Sequence, residues 1–412
     1  TGAHGVELLQ AAVTTAHSGS QNKKSGFHGV TGCSKQGELG AVNPLEAKPL
    51  KKSKPATRGP LHSFFRSRPL AFSTMKLALT SLLTLAASTA ALHADALSDS
   101  YLAMFRPLPS EAPSPQNELS QARIDLGRML YFDNRLSKGS KISCNSCHML
   151  ERYGQDNLPF SPGHDGKLGG RSSPSTFNAA LHLAQFWDGR APSVEEQAKG
   201  PVLNPIEMGV PDAATAVALL KSIPGYVEAF KAAFPGEADP VTYDNFGKAV
   251  GAFERKLVTP SRWDDYLKGD KNALSAAELK GYETFAKVGC ATCHNGPAVG
   301  GAMYQKLGLV KAWPDLKDNG RMDATKQESD KHMFKVASLR NVTETAPYLH
   351  DGSVKTLEQM VSMMGEYQLG KKLSDEEVTS IITFLKALKG DLPKAYIAKP
   401  ALPADGPNTP KI

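Results

Sequence analysis

Apolar residues recur along the chain with a helical period. In SDEEVTSIITFLKALKG, Ser374 and Glu377 form a capping box, and Val378, Ile381, Ile382, Leu385 and Leu388 follow the i, i+3, i+4, i+7 rhythm of one buried face. TYDNFGKAVGAFERKLVTP does the same with Phe246, Ala249, Val250, Phe253 and Leu257, and Pro260 is expected to stop that helix. SAAELKGYETFAKVG predicts a further helix ending just before Cys290. No segment of any length alternates as a half-buried strand does. Glycine and proline cluster in LPFSPGHDGKLGGRSSPS and HNGPAVGGAMY, which predicts loops there. The pattern is that of a mainly α protein with long loops.

The chain also repeats itself. FWDGRAPSVEEQ (Phe186 to Gln197) resembles LHDGSVKTLEQM (Leu349 to Met360), with Asp188-Gly189 matching Asp351-Gly352. Cys-x-x-Cys-His occurs twice, as CNSCH from Cys144 and CATCH from Cys290, 290 − 144 = 146 positions apart. Two tandem domains are expected, 95–260 and 261–395, with a boundary near Pro260–Trp263. The tail, 396–412, reads as a Pro-rich wrap or a disordered end.

Cys-x-x-Cys-His is the attachment pattern of a c-type haem. Two thiols at this spacing reach the two vinyl groups of one porphyrin, and the histidine offers its imidazole to the iron. A redox dithiol needs no histidine after the second cysteine, and a zinc site would need both pairs on one metal. The chain has five cysteines. Four are in the motifs and the fifth, Cys33, lies outside the region read as the working protein, so no thiol is left for a structural disulfide.

MKLALTSLLTLAASTAALHADA has a short basic start at Met75 and Lys76, an apolar run from Leu77 to Leu92, and small residues at Ala94 and Ala96. This is a secretory signal pattern at 75–94, too rich in Ala, Ser and Thr for a membrane span. Cleavage is expected after Ala94 or Ala96. Residues 1–74 lack sustained apolar periodicity and are expected to be upstream sequence or a disordered extension. The formal charge of +7 then misleads. Residues 1–94 hold 11 basic and 3 acidic residues, leaving 48 − 11 = 37 against 41 − 3 = 38, or −1. The basic footprint of a nucleic-acid binder is absent, and no membrane span is expected in the exported, periplasmic chain.

His148 and His294 take one face of each iron, so the opposite faces separate an electron carrier from a catalyst. Beyond residue 95 the remaining histidines are His164, His182, His332 and His350. EQMVSMMGEYQLG offers Met360, Met363 and Met364. Methionine on an apolar helix face is ordinarily core filler, and spacing does not choose among the three. His164 sits in a Gly- and Pro-rich loop suited to binding and letting go. Glu207, in LNPIEMG, reads either as a solvated or helix-capping glutamate or as the group that moves the protons of a peroxide over an open iron. Trp187 reads as packing or as a step for an electron crossing between two haems.

ISCNSCH, QFWDGRA, QAKGPVLNPIEMG, GCATCH, SLRNV and SMMGEYQLG together resemble the bacterial dihaem cytochrome c peroxidases, from about Asp95 to the tail. The resemblance implies reduction of hydrogen peroxide to water with electrons from a small cytochrome c or a cupredoxin. It implies a low-potential peroxidatic haem on Cys144, Cys147 and His148, with His164 as its second ligand in the oxidised form. It implies a high-potential electron-entry haem on Cys290, Cys293 and His294 with Met364 opposite. Glu207 and Gln197 match the distal residues and Trp187 the tryptophan between the haems. A calcium ion is implied between the domains, on the carbonyls of Thr345 and Pro347 and on Ser172, where many members carry asparagine. Members often form homodimers. A related oxidase that modifies tryptophans in a partner protein has tyrosine where Met364 stands. A pure electron carrier would need neither Glu207 nor Gln197.

Overall fold

The computed structural model describes residues 100–412. The expectations for the upstream extension, the export signal and Cys33 fall outside them. The architecture is mainly α, in two halves that each own a hydrophobic core. The longer helices of the first half are α1 (Gln121–Phe132), α2 (Val194–Leu203), α3 (Ala213–Lys221), α4 (Pro224–Ala233) and α5 (Tyr243–Glu254). Those of the second are α6 (Arg262–Leu267), α7 (Ala276–Val288), α8 (Leu357–Met363) and α9 (Asp375–Lys386). Leu126, Leu130, Tyr226, Phe230, Phe246 and Phe253 belong to the first core. Trp263, Tyr282, Phe285, Ile381, Phe384 and Leu385 belong to the second. Burial of each such side chain stabilises its half by about 1.5–3 kcal/mol.

Each half is closed by one helix crossing made possible by a glycine. A Cβ at Gly127 of α1 would overlap the carbonyl of Ala249 in α5, and one at Gly281 of α7 would overlap that of Ser380 in α9. The expected capping box holds α9: the Ser374 N–H donates to Glu377 Oε2 at 2.9 Å, and the Glu377 N–H to Ser374 Oγ at 3.2 Å. Ser275 and Glu278 cap α7 in the same way. Helix α5 ends at Glu254, earlier than Pro260 requires. The chain peels away there because its next groups are wanted elsewhere. The Leu257 carbonyl accepts from the Asn178 N–H at 2.8 Å, and Thr259 Oγ1 accepts from both Asn178 Nδ2 and Asn341 Nδ2.

The chain ends cross between the halves. Phe105 packs edge-on against Trp263 in the second core, ring centroids 5.4 Å apart. Tyr396 stacks on Phe253 at 5.1 Å, and Ile397 is buried in the first core. The tail continues over the first half, where Asp405 pairs with Arg135 at 2.5 Å. Among the described residues the paired strands are a short antiparallel ribbon, β1 (Tyr304–Lys306) with β2 (Met333–Lys335). Three residues per strand are too few to show alternation in sequence.

The repeat read from Asp-Gly is structural. Isolated bridges join Gln185 to Ala191 and Tyr348 to Val354, both antiparallel. Positive φ recurs at Phe186 (65°) and Leu349 (76°), and at Gly189 (68°) and Gly352 (62°). Every pair is offset by 349 − 186 = 163, and α2 and α8 start at that offset too, since 194 + 163 = 357. Asn178 and Asn341, which share Thr259, are another such pair (178 + 163 = 341).

Candidate functional site

Each half carries a cavity beside its Cys-x-x-Cys-His. The first, about 590 Å³, is lined by Cys144, Cys147 and His148; the second, about 260 Å³, by Cys290, Cys293 and His294. The four motif cysteines are free thiols. His148 Nδ1 lies 2.9 Å from the Pro174 carbonyl, and His294 Nδ1 lies 3.1 Å from the Ala337 carbonyl. A carbonyl only accepts, so Nδ1 carries the proton in both rings and Nε2 keeps a free lone pair, as an axial ligand requires. Burial lowers the His148 pKa and brings that of His294 down to about 4, so both rings are held neutral. The carbonyls obey the repeat, since 174 + 163 = 337. Two attachment motifs with pre-oriented imidazoles, each facing a cavity, define a dihaem c-type cytochrome.

The two cavities share a wall. Ser172, Pro174, Ser175, Phe186 and Trp187 line both. Trp187 is fixed in it by donating Nε1–H to the Ser172 carbonyl at 2.9 Å.

Glu207 and Gln197 both line the first cavity. Asn204 Nδ2 donates to Glu207 Oε1 at 2.8 Å. Burial pushes the Glu207 carboxyl above the usual carboxylate range, against the pull of Arg190 and the Asn204 hydrogen bond. Glu207 is therefore neither a freely solvated group nor a cap. The structure does not bring His164 to this cavity. The Gly163–Gly209 region pins it outside, with the His164 N–H on the Glu207 carbonyl at 2.8 Å and His164 Nε2 3.2 Å from the Pro205 carbonyl. Sequence reasoning missed Glu254, which is buried in the wall of the first cavity at the end of α5. Its signal was a carboxylate one helical turn beyond Val250, another cavity-lining residue.

In the second cavity, Met360 and Met364 are lining residues and Met363 is not. Met364 opens a π-helical turn, Met364–Gln368, a local widening often found at functional sites. His182 and His350 also line this cavity, as do Thr345, Pro347 and Ser172. Gln155 Oε1, in the same wall, is buried without a partner, and Gln155 Nε2 lies 3.4 Å from Ser172 Oγ. Among the described residues no group of three His, Cys, Asp or Glu side chains could hold a metal ion, so a cation here would rest on carbonyl, amide and hydroxyl oxygens.

Comparison with known proteins narrows the class. The di-haem cytochrome c peroxidase profile matches residues 121–272, and a cytochrome c profile matches 279–389. The cytochrome c551 peroxidase of Pseudomonas aeruginosa is 45% identical over 82% of this chain and 99% of its own. That of Nitrosomonas europaea is 46% identical over 74% of this chain and 89% of its own. Among solved structures, a MauG-like protein associated with microbial copper homeostasis superposes with a TM-score of 0.64 at 28% identity, over 71% of this chain and 97% of that one. The chain belongs to the dihaem cytochrome c peroxidase family. It is an oxidoreductase of that class with two c-type haems.

Proposed function

We propose that this chain reduces hydrogen peroxide to water at its N-terminal cavity, with electrons accepted at its C-terminal cavity from a small cytochrome c or a cupredoxin. The supporting observation is the inequality of the cavities across their common wall. The larger has the carboxylic acids Glu207 and Glu254 in its wall, and the smaller has Met360 and Met364 and no Asp or Glu. When bound, the haem on Cys290, Cys293 and His294 supplies electron storage, and the haem on Cys144, Cys147 and His148 supplies the metal centre at which peroxide is reduced.

Glu207 takes a proton from one peroxide oxygen and returns it to the other, so that water leaves. Its raised pKa suits it to do both. Gln197 orients the peroxide by hydrogen bonding. Trp187 stands between the sites as the electron step. Met364 would offer its thioether to the second haem, a ligand type that raises the potential. His164 would serve as the releasable ligand of the first, and reaching that cavity would require the 163–167 loop to leave its contacts with Pro205 and Glu207. Ser172, Thr345 and Pro347 hold calcium, with the unpartnered Gln155 Oε1 supplying reach that a serine hydroxyl lacks. Among the described residues no helix is long and apolar enough to cross a membrane. We place the mature chain, from about Asp95, in the periplasm, with homodimers as its expected assembly.

Peroxide turnover with a reduced small cytochrome c, in fully oxidised and one-electron-reduced protein with calcium present, tests this reading. Turnover by the half-reduced form alone is expected. Equal turnover by both forms removes the role of His164, and no turnover by either returns the chain to electron carriage.

A further inference from the structure

The wall of the C-terminal cavity contains a cation with no anion. Lys335 and Arg340 line this cavity. Arg340 is fully engaged, with Nη1 and Nη2 on the two oxygens of Asp264 at 2.6 and 2.8 Å and further bonds to Ser261 and the Pro297 carbonyl. Lys335 is 8% exposed. It is placed by β2 and by its N–H on the Trp187 carbonyl at 2.8 Å. Its Nζ lies 3.1 Å from His182 Nδ1. The carboxylate that acts on it from a distance, Asp188, is occupied by Arg171 at 2.7 Å and Arg190 at 3.0 Å.

An ammonium only donates. His182 Nδ1 must therefore accept, which leaves the proton on Nε2, and Nε2 is buried without a partner. Lys335 and His182 together are a donor-only pair in a cavity wall, still lacking an acceptor. Burying an unpaired charge is costly, and burial brings the Lys335 pKa down to about 8. A haem brings two carboxylates, its propionates, which are the acceptors this wall lacks.

We propose that the Lys335–His182 pair binds a propionate of the C-terminal haem and that the Lys335 charge raises the reduction potential of that haem. The inference rests on the haem assignment and the division of labour proposed above. A positive charge held in a low-dielectric wall favours the form of the haem with one more electron.

The test is a redox titration of the holoprotein by optical spectroscopy, wild type against Lys335→Gln and Lys335→Arg, with the propionate bending band followed by resonance Raman. In Lys335→Gln the reduction equilibrium constant of the C-terminal haem is expected to fall about tenfold, about 59 mV for one electron. The N-terminal haem should change less than about threefold by the same scale, Lys335→Arg should stay near wild type, and the Raman band should shift in Lys335→Gln. Unchanged C-terminal potential and Raman band in Lys335→Gln overturn the proposal. If Lys335→Gln loses the C-terminal haem, its retention in Lys335→Arg supports the charge contact and its loss from both overturns it. Wild-type protein whose two haems titrate as one couple overturns the functional reading on which this rests. That result is distinct from failure of the contact alone, in which wild type shows two couples and Lys335→Gln leaves both in place.

Discussion

The two halves use one plan and differ where chemistry needs them to. Both hold the imidazole by a backbone carbonyl, cross two helices at a glycine and enter a helix through the same Asp-Gly turn. Carried along the helix, the repeat sets Met364 opposite Pro201, since 364 − 163 = 201, and Met360 opposite Gln197. Met364 lines the smaller cavity and Pro201 the larger. Proline has no side-chain atom that can bind iron. In the function proposed above, the same register would close one site with a thioether and leave the other without one, and it puts an amide where the second methionine stands. Within the repeat, the two cavities differ at a few positions on one helix face.

The largest expected effect comes from removing the acid that has no counterpart in the other half. Glu207→Gln should lower peroxide turnover by about 10²–10³-fold while both haems remain bound. The acidic limb of the pH profile should vanish with it, because Glu207 takes a proton only when ionised and its raised pKa places that limb above the usual carboxylate range. A carrier of electrons would be indifferent. Next is the ligand itself. Met364→His should lower the reduction equilibrium constant of the C-terminal haem about 100-fold, or about 120 mV, whereas Met363→Leu should change it little. The reciprocal substitution, Pro201→Met, sharpens the comparison: peroxide access should fall and a thioether-ligation band should appear in the optical spectrum of the N-terminal haem.

Smaller again is the shared crossing. Gly127→Ala and Gly281→Ala each press a methyl into a facing backbone carbonyl, and each should cost about 2 kcal/mol in chemical denaturation. Equal losses would show that the halves are closed by the same contact, and a loss in one alone would break the equivalence.

Much of this was legible in the sequence. The helix faces of Phe246–Phe253 and Val378–Leu388 follow from periodicity, because burial on one face leaves that trace. Both haem motifs and the Asp-Gly repeat are local strings. What stayed hidden depends on contacts far apart in the chain. The early end of α5 answers to Asn178 and Asn341. Met364, which the resemblance selects and spacing does not, opens a π-helical turn that no propensity encodes. Lys335, between Phe334 and Val336, resembles an exposed strand residue until β2 is paired and its side chain meets His182. His164 is the reverse case: its loop was read correctly, yet the described conformation holds its ring against Pro205.

Glu254 separates the two halves through the pH dependence of stability rather than through turnover. Burial, reinforced by the charge of Glu195 and opposed by Arg255, pushes its carboxyl up to about 8. The folded pKa lies above the unfolded one, so the folded state holds the proton more tightly. Stability from this group is present in full below the unfolded pKa of about 4.3 and is lost as pH rises toward about 8. Glu254→Gln keeps the neutral shape and removes the titration. It should leave stability unchanged near pH 3 and raise it relative to wild type as the pH climbs, by about 1 kcal/mol at pH 5 and by several kcal/mol at pH 8. The C-terminal cavity has no such acid in its wall, so the same pH scan on a variant altered in that wall, Met360→Leu, should run parallel to wild type. A pH-independent difference for Glu254→Gln would mean that this carboxyl is already ionised, held so by a partner that the bound haem brings into the cavity.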